Sequence, residues 1–173
     1  IKKLEDNGSQ VIIVNDDISK EKEYGTVGGI HMGWFWRFNV LGDKNIERVI
    51  VRDIDSRPSQ REQNCVRDWI KSGREFHIIR DHRMHGVPIC AGMWGATHKF
   101  INRINYLKLR EEFITPHDSR YGGYDQQFLA ECIYPLVKNS ALIHDDWDRY
   151  REGAKSIPHL KIEGDFIGKP IEI

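Results

Sequence analysis

The run Arg48-Val49-Ile50-Val51-Arg52-Asp53-Ile54-Asp55-Ser56-Arg57 constrains this chain more than any other stretch. Its β-branched centre reads as a strand, and two carboxylates one residue apart stand at its end. Alternate residues of an extended chain share a face, so Asp53 and Asp55 are expected on one side, with Ile54 anchored on the other. Two hard oxygen donors at a strand exit suit Mg²⁺ or Mn²⁺ with positions left open for phosphate oxygens. The competing reading is a loop in which two acids merely lie near each other. The Asp-x-Asp pattern alone is too short to decide between them.

The 173 residues suffice for one domain with a substantial core. Lys plus Arg and Asp plus Glu number 26 each, so no bulk field draws the chain to nucleic acid or to an anionic membrane. Local sites must carry the function. Cys65, Cys90 and Cys132 are odd in number, far apart and without Cys-x-x-Cys spacing. This argues against a disulfide framework or a cysteine-built zinc site, and for a reducing, cytoplasmic setting. No run approaches the ~20 apolar residues of a membrane span, and no secretion signal is evident. Residues Ile1 to Gly8 read as the last turns of a helix closed by a glycine. The chain is therefore expected to begin inside a larger fold.

Gln10 to Val14 reads as a buried strand, Gly25 to Gly33 as a flexible connection, and Trp34-Phe35-Trp36-Arg37-Phe38 as an aromatic core cluster with a cation at its edge. Ser59-Gln60-Arg61-Glu62 is a capping box, and Cys65, Val66, Trp69 and Ile70 continue at helical spacing to Gly73. Phe76 to Ile79 is the next strand, and Gly86 to Gly95 reads as a loop or interrupted strand. Phe100 to Phe113 has mixed helical character. A helix is expected to begin at Asp125 and to be limited by Pro135, and Ala141 to Ile143 is a last strand. Strands alternating with helices predict an α/β fold, a mostly parallel sheet covered by helices in a Rossmann-like arrangement.

Ligands of such sheets collect outside the carboxyl ends of the strands. Three exits carry suitable groups: Asp53 with Asp55, Asp81 with His82 and His85, and His144 with Asp145 and Asp146. Pairing the first with the third gives two carboxylates and an imidazole, a donor set for Mn²⁺. The alternative is that each acid caps or solvates its own loop. His82-Arg83-Met84-His85 has neither a specified third ligand nor a glutamate base, so it reads as a substrate-contacting or structural loop rather than a zinc site.

The ordered set Gly33-Trp34-Phe35-Trp36-Arg37-Phe38, Arg52-Asp53-Ile54-Asp55-Ser56-Arg57, Trp69-Ile70-Lys71-Ser72-Gly73, His77-Ile78-Ile79-Arg80-Asp81-His82, Gly92-Met93-Trp94-Gly95, Tyr124-Asp125-Gln126-Gln127-Phe128-Leu129 and His144-Asp145 resembles a family of nucleotide-sugar glycosyltransferases with the GT-A fold, found in bacteria and large viruses. More distantly it is similar to the glycogenin-like retaining transferases. The resemblance implies a single GT-A-like catalytic domain over residues 1–173 that lacks its first strand, the one that cradles the nucleobase and would lie before Ile1, with further domains in the same polypeptide, and a cytoplasmic location, that of the host for a viral member. It implies Mn²⁺ or Mg²⁺, a nucleoside-diphosphate sugar donor, UDP-linked, and a glycan or glycoprotein acceptor, with no nucleic acid as partner.

By the same resemblance Asp55 is the direct metal ligand, Asp53 a ligand or ribose contact, and His144 the residue completing the metal shell. Arg37 contacts the donor, Gly92, Met93 and Trp94 wall the donor sugar and acceptor, and Asp125 faces the reacting sugar. Asp125 or Asp81 would be the base if the product is inverted. Gly168-Lys169-Pro170 is a weak echo of a lysine that touches the diphosphate. Two other readings stand beside it. One is a haloacid-dehalogenase-type phosphatase with Asp53 as nucleophile and Asp145 and Asp146 at Mg²⁺, which Ser56-Arg57 fits poorly. The other is a module that binds a sugar nucleotide or glycan without transferring it.

Overall fold

Every residue of the strand Phe76–Arg80 is buried, so both faces of the sheet around it are covered. A computed structural model describes residues 26–27, 30–114, 123–158 and 164–171 of the chain. Thr26–Val27 (β1) and Ile30–His31 (β2) form a short antiparallel pair that leads into a 3₁₀ helix, Met32–Gly42. The main sheet consists of Arg48–Arg52 (β3), Phe76–Arg80 (β4), Met93–Thr97 (β5) and Leu142–Asp145 (β6), in the order β3-β5-β4-β6. The predicted helix at 1–8 and strand at 10–14 lie outside the described residues.

The fold is mixed α/β, with helices flanking a mixed sheet. The expectation of a mostly parallel sheet needs correction. β5 runs antiparallel to both β3 and β4, and only β4 and β6 pair in parallel. The cause is the connection: β3 and β4 are joined through a helix, but residues 81–92 between β4 and β5 contain none. Without a crossover helix, the chain returns antiparallel beside the strand it has just left. Of the two readings of Gly86 to Gly95, loop or interrupted strand, the structure gives loop up to Gly92 and strand from Met93.

Helix Gln60–Ser72 (α1) covers one face. Ser59 Oγ accepts the Glu62 N–H at 3.1 Å, and Gly73, in the left-handed region at φ 65°, closes the helix. Its Cys65 lies in a cluster with Ile79, Cys90, Met93, Ile157 and Ile167, and its Trp69 stacks on His77 at 5.2 Å. The opposite face carries the larger core. Phe35, Phe38 and Leu41 of the 3₁₀ helix meet Phe76, Ile78, Trp94 and Ala96 of the sheet.

Helices His98–Arg103 (α2), Tyr106–Phe113 (α3) and Tyr124–Phe128 (α4) complete that layer with Phe100, Phe113 and Phe128. The mixed character of 100–113 resolves into α2 and α3, with Asn105 Oδ1 accepting the Lys108 N–H at 3.1 Å as cap of the second. α4 runs through a π-helical stretch, Leu129–Ile133, into Tyr134–Val137 (α5). Pro135 therefore does not end the helix as expected. It sits in the first turn of α5, where a missing N–H costs least, and the π turn before it absorbs the change of register. Among the described residues no helix is long and apolar enough to cross a membrane.

Gly95 sets the separation between α1 and the sheet. A Cβ there would stand 2.9 Å from the Trp69 ring and 2.9 Å from the Val49 carbonyl. Gly95→Ala should therefore destabilise the domain by about 1–3 kcal/mol, the range for overpacking a core. The measurement is urea unfolding, with a lowered midpoint and an unchanged slope expected.

Candidate functional site

β3 ends at Arg52, whose guanidinium is held by the Glu62 carboxylate and the Val51 and Trp94 carbonyls. The chain then turns. Ser56 donates to the Asp53 carbonyl from its backbone N–H (3.2 Å) and its hydroxyl (2.8 Å), so Ile54 and Asp55 form the centre of a tight turn. Strand alternation therefore does not extend to this pair: Ile54 is fully exposed rather than anchored.

Asp53 folds back over Gly92, where any Cβ would collide with its carboxylate. Arg37 Nη1 from the 3₁₀ helix lies 2.9 Å from Asp53 Oδ1 and 3.8 Å from Asp125 Oδ2. Asp125, in the first turn of α4, also accepts the Gln126 N–H at 2.8 Å and is buried. Burial raises its pKa above the usual carboxylate value, against the opposing pull of the Gln126 N–H and Arg37. Gly123 makes room beside it: a Cβ there would stand 2.6 Å from the Trp34 indole and 2.8 Å from Asp125 Oδ1. Three acid and base groups from distant parts of the chain thus meet, with glycines at two points of contact.

On the other side of the turn the segment 164–171 closes in. Ile171 N–H donates to the Asp55 carbonyl at 2.7 Å, and Pro170 bridges to Ser56. Gly168, at φ 84°, lies beside Met93, whose Sδ would stand 3.0 Å from a Cβ added there, and Lys169 Nζ donates to the Gly164 carbonyl at 2.9 Å. Arg57, Ser59, Phe166 and Lys169 line an open cavity of about 410 Å³ at the start of α1. Lys169 therefore stands by the Asp53–Ser56 turn, and Arg57, which sequence reasoning left without a role, stands with it. Its signal was its position two residues after the acidic pair.

Several expected residues are placed elsewhere. Asp81 is fully buried, its carboxylate taken by Arg61 (2.7 and 3.2 Å) and the Ile167 N–H (2.9 Å), so it is an interior ion-pair partner rather than a base. Trp94 is core: it stacks on Phe76 at 5.5 Å and donates to the Ala91 carbonyl at 3.0 Å. Met93 faces the α1 side, so of the expected Gly92-Met93-Trp94 wall only Gly92 reaches Asp53. Strand parity causes this, because alternate β5 residues enter opposite cores.

His144 does not join Asp53 and Asp55. It is buried on β6, with Nδ1 2.9 Å from His77 Nε2 and Nε2 3.1 Å from Asp68 Oδ2. β3 and β6 are the two edges of the sheet, three strand spacings or about 14 Å apart. Among the described residues no three His, Cys, Asp or Glu side chains gather closely enough to hold a metal ion. The residues present do not fit the three-ligand Mn²⁺ or Mg²⁺ shell that the resemblance implies. Asp145 and Asp146 are likewise committed, to Arg80 at 2.7 Å and Arg61 at 3.3 Å. His82 stacks on Phe166 at 4.4 Å, a packing role for the histidine loop.

No protein-family model, curated protein or solved structure matches this chain.

The histidine pair has a pH signature. Asp68 accepts from His144 Nε2, which leaves His144 Nδ1 to accept from His77 Nε2, and His77 Nδ1 has no partner among the described residues. Burial lowers the His77 pKa well below 6.5, reinforced by His144 and Arg52, and burial lowers that of His144 despite Asp68. Depressed histidine pKa values mean that stability is intact above the unfolded value of about 6.5 and declines as pH falls toward the folded values. The thermal midpoint should drop between pH 7 and pH 5. His77→Phe should flatten that dependence, as followed by circular dichroism at each pH.

Proposed function

We propose that this chain is a glycosyltransferase on a GT-A-like domain, moving a sugar from a UDP-linked donor to a glycan or other hydroxyl acceptor. One observation carries the reading. Arg37 stands between Asp53 and Asp125, so three residues that the resemblance assigns to the donor, from three separate segments, form one cluster.

The surroundings have the polarity this reaction needs. A leaving nucleoside diphosphate gains negative charge, and the cavity at the start of α1 offers Arg57, Lys169 and a helix N-terminus to it. The reacting sugar gains oxocarbenium character, which a carboxylate alongside stabilises, as in glycoside hydrolysis. Asp125 is that carboxylate. Its raised proton affinity also suits it to take the proton of an attacking hydroxyl. Both roles require the ionised form, which Arg37 supports. The anionic and cationic demands thus fall on opposite sides of the Asp53–Ser56 turn. Because the three-ligand shell does not fit, no step is assigned to a metal. The phosphatase alternative is less well supported, since Asp145 and Asp146 are tied to arginines.

The test is turnover of UDP-sugars, read as UDP release with and without added Mn²⁺. Asp125→Asn keeps the shape and removes the charge, and should lower kcat by about 10²-fold or more. Full turnover in that variant would overturn the assignment.

A further inference from the structure

Beside the carboxylate cluster stands the indole of Trp34. Trp34 is 40% exposed, although Phe35 and Phe38 on the same 3₁₀ helix are fully buried. Phe35 packs edge-on to Phe38 (6.1 Å between centroids) and to Phe128 (5.4 Å), Phe38 lies tilted on Phe128 at 5.4 Å, and these contacts anchor the helix against the core. The Trp34 backbone is therefore held by buried neighbours, while its ring remains partly open to solvent.

Trp36 and Trp147 are exposed to similar degrees. Trp34 differs in what it adjoins. Its ring lies against Gly123, which also adjoins the Asp125 carboxylate, and Asp125 leads through Arg37 to Asp53 and Gly92. A flat apolar surface thus sits at one end of a row of two carboxylates and a guanidinium. Any side chain at position 123 would fill the junction between the two parts.

We infer that Trp34 is a platform for a pyranose ring, which lies with its C–H face on the indole and directs its hydroxyls to Asp125, Arg37 and Asp53. The chemistry of the lining selects this class of ligand. Binding sites for small molecules combine apolar or aromatic walls with a few convergent polar groups. A pyranose has both kinds of surface: axial C–H groups make an apolar face, and its hydroxyls both donate to carboxylates and accept from a guanidinium. A nucleobase would meet the same ring, but it gains little from two acids at the edge. The inference deepens the transferase reading and rests on it for the sugar's role as substrate.

The experiment is saturation-transfer NMR on the full chain with methyl glucoside, galactoside, mannoside and N-acetylglucosaminide as probes, with UDP titrated in parallel. Saturation should pass to axial ring protons of at least one glycoside in the wild type and in Trp36→Ala. It should be lost in Trp34→Ala and Gly123→Val and retained, weakened, in Trp34→Phe. Circular dichroism verifies that each variant is folded, and Trp34→Phe preserves a ring if the alanine variant is not. Absence of transfer in the wild type, or full transfer in folded Trp34→Ala, overturns the platform. UDP binding without glycoside transfer rejects the platform alone. Glycoside transfer that depends on Trp34, without UDP binding, supports the platform and counts against the transferase reading.

Discussion

Two buried arginine–carboxylate pairs at the ends of the sheet hold the arrangement together. Arg61 of α1 grips Asp81 after β4, and Arg80 at the end of β4 grips Asp145 at the end of β6. Arg80 also meets Glu152, the Pro88 carbonyl and the Tyr150 ring, so four groups from three segments converge on one guanidinium. A buried charge pair gains little net energy over apolar packing, but loss of one partner typically costs about 3–5 kcal/mol because the other charge is stranded. Such pairs specify where the loops go. They tie α1, both strand ends and the segment after β6 into one geometry.

These pairs also divide the acids into those that are sealed and those that remain available. All three strand exits bear carboxylates, yet two of the exits face interior arginines. Arg61 and Asp81 have side chains 5% and 0% exposed, whereas Arg37 and Asp53 are 34% and 48% exposed. A half-exposed pair is worth about 0–1 kcal/mol and is cheaply exchanged for contacts with a ligand. A sealed pair is not. The same chemistry therefore produces a structural joint at β4 and β6 and a candidate binding site at β3, with burial as the deciding difference.

The histidines follow the same rule. His77 and His144 sit on the two parallel neighbours β4 and β6 and are covered by α1, with Trp69 stacked on His77. Their hydrogen bonds point to each other and to Asp68, not to the acidic turn. Gly92, Gly95 and Gly123 act in the opposite sense. Each leaves space for a neighbouring side chain: the Asp53 carboxylate, the Trp69 ring, and the junction of Trp34 with Asp125.

By itself the sequence determined the elements whose signals are local. α1 was legible from Ser59, Cys65, Trp69 and Gly73, and the strands β3, β4 and β6 from short apolar runs, because capping and periodicity need only a few neighbouring residues. It also named Arg37, Asp53 and Asp125 by resemblance, but not that they meet. Tertiary structure alone decided the direction of β5, the placing of β3 and β6 at opposite edges, and hence the separation of His144 from Asp53 and Asp55. It decided too that Trp94 is core while Trp34 stays half open. Strand pairing and sheet-face parity depend on contacts between residues tens of positions apart, and no local pattern of side chains encodes them.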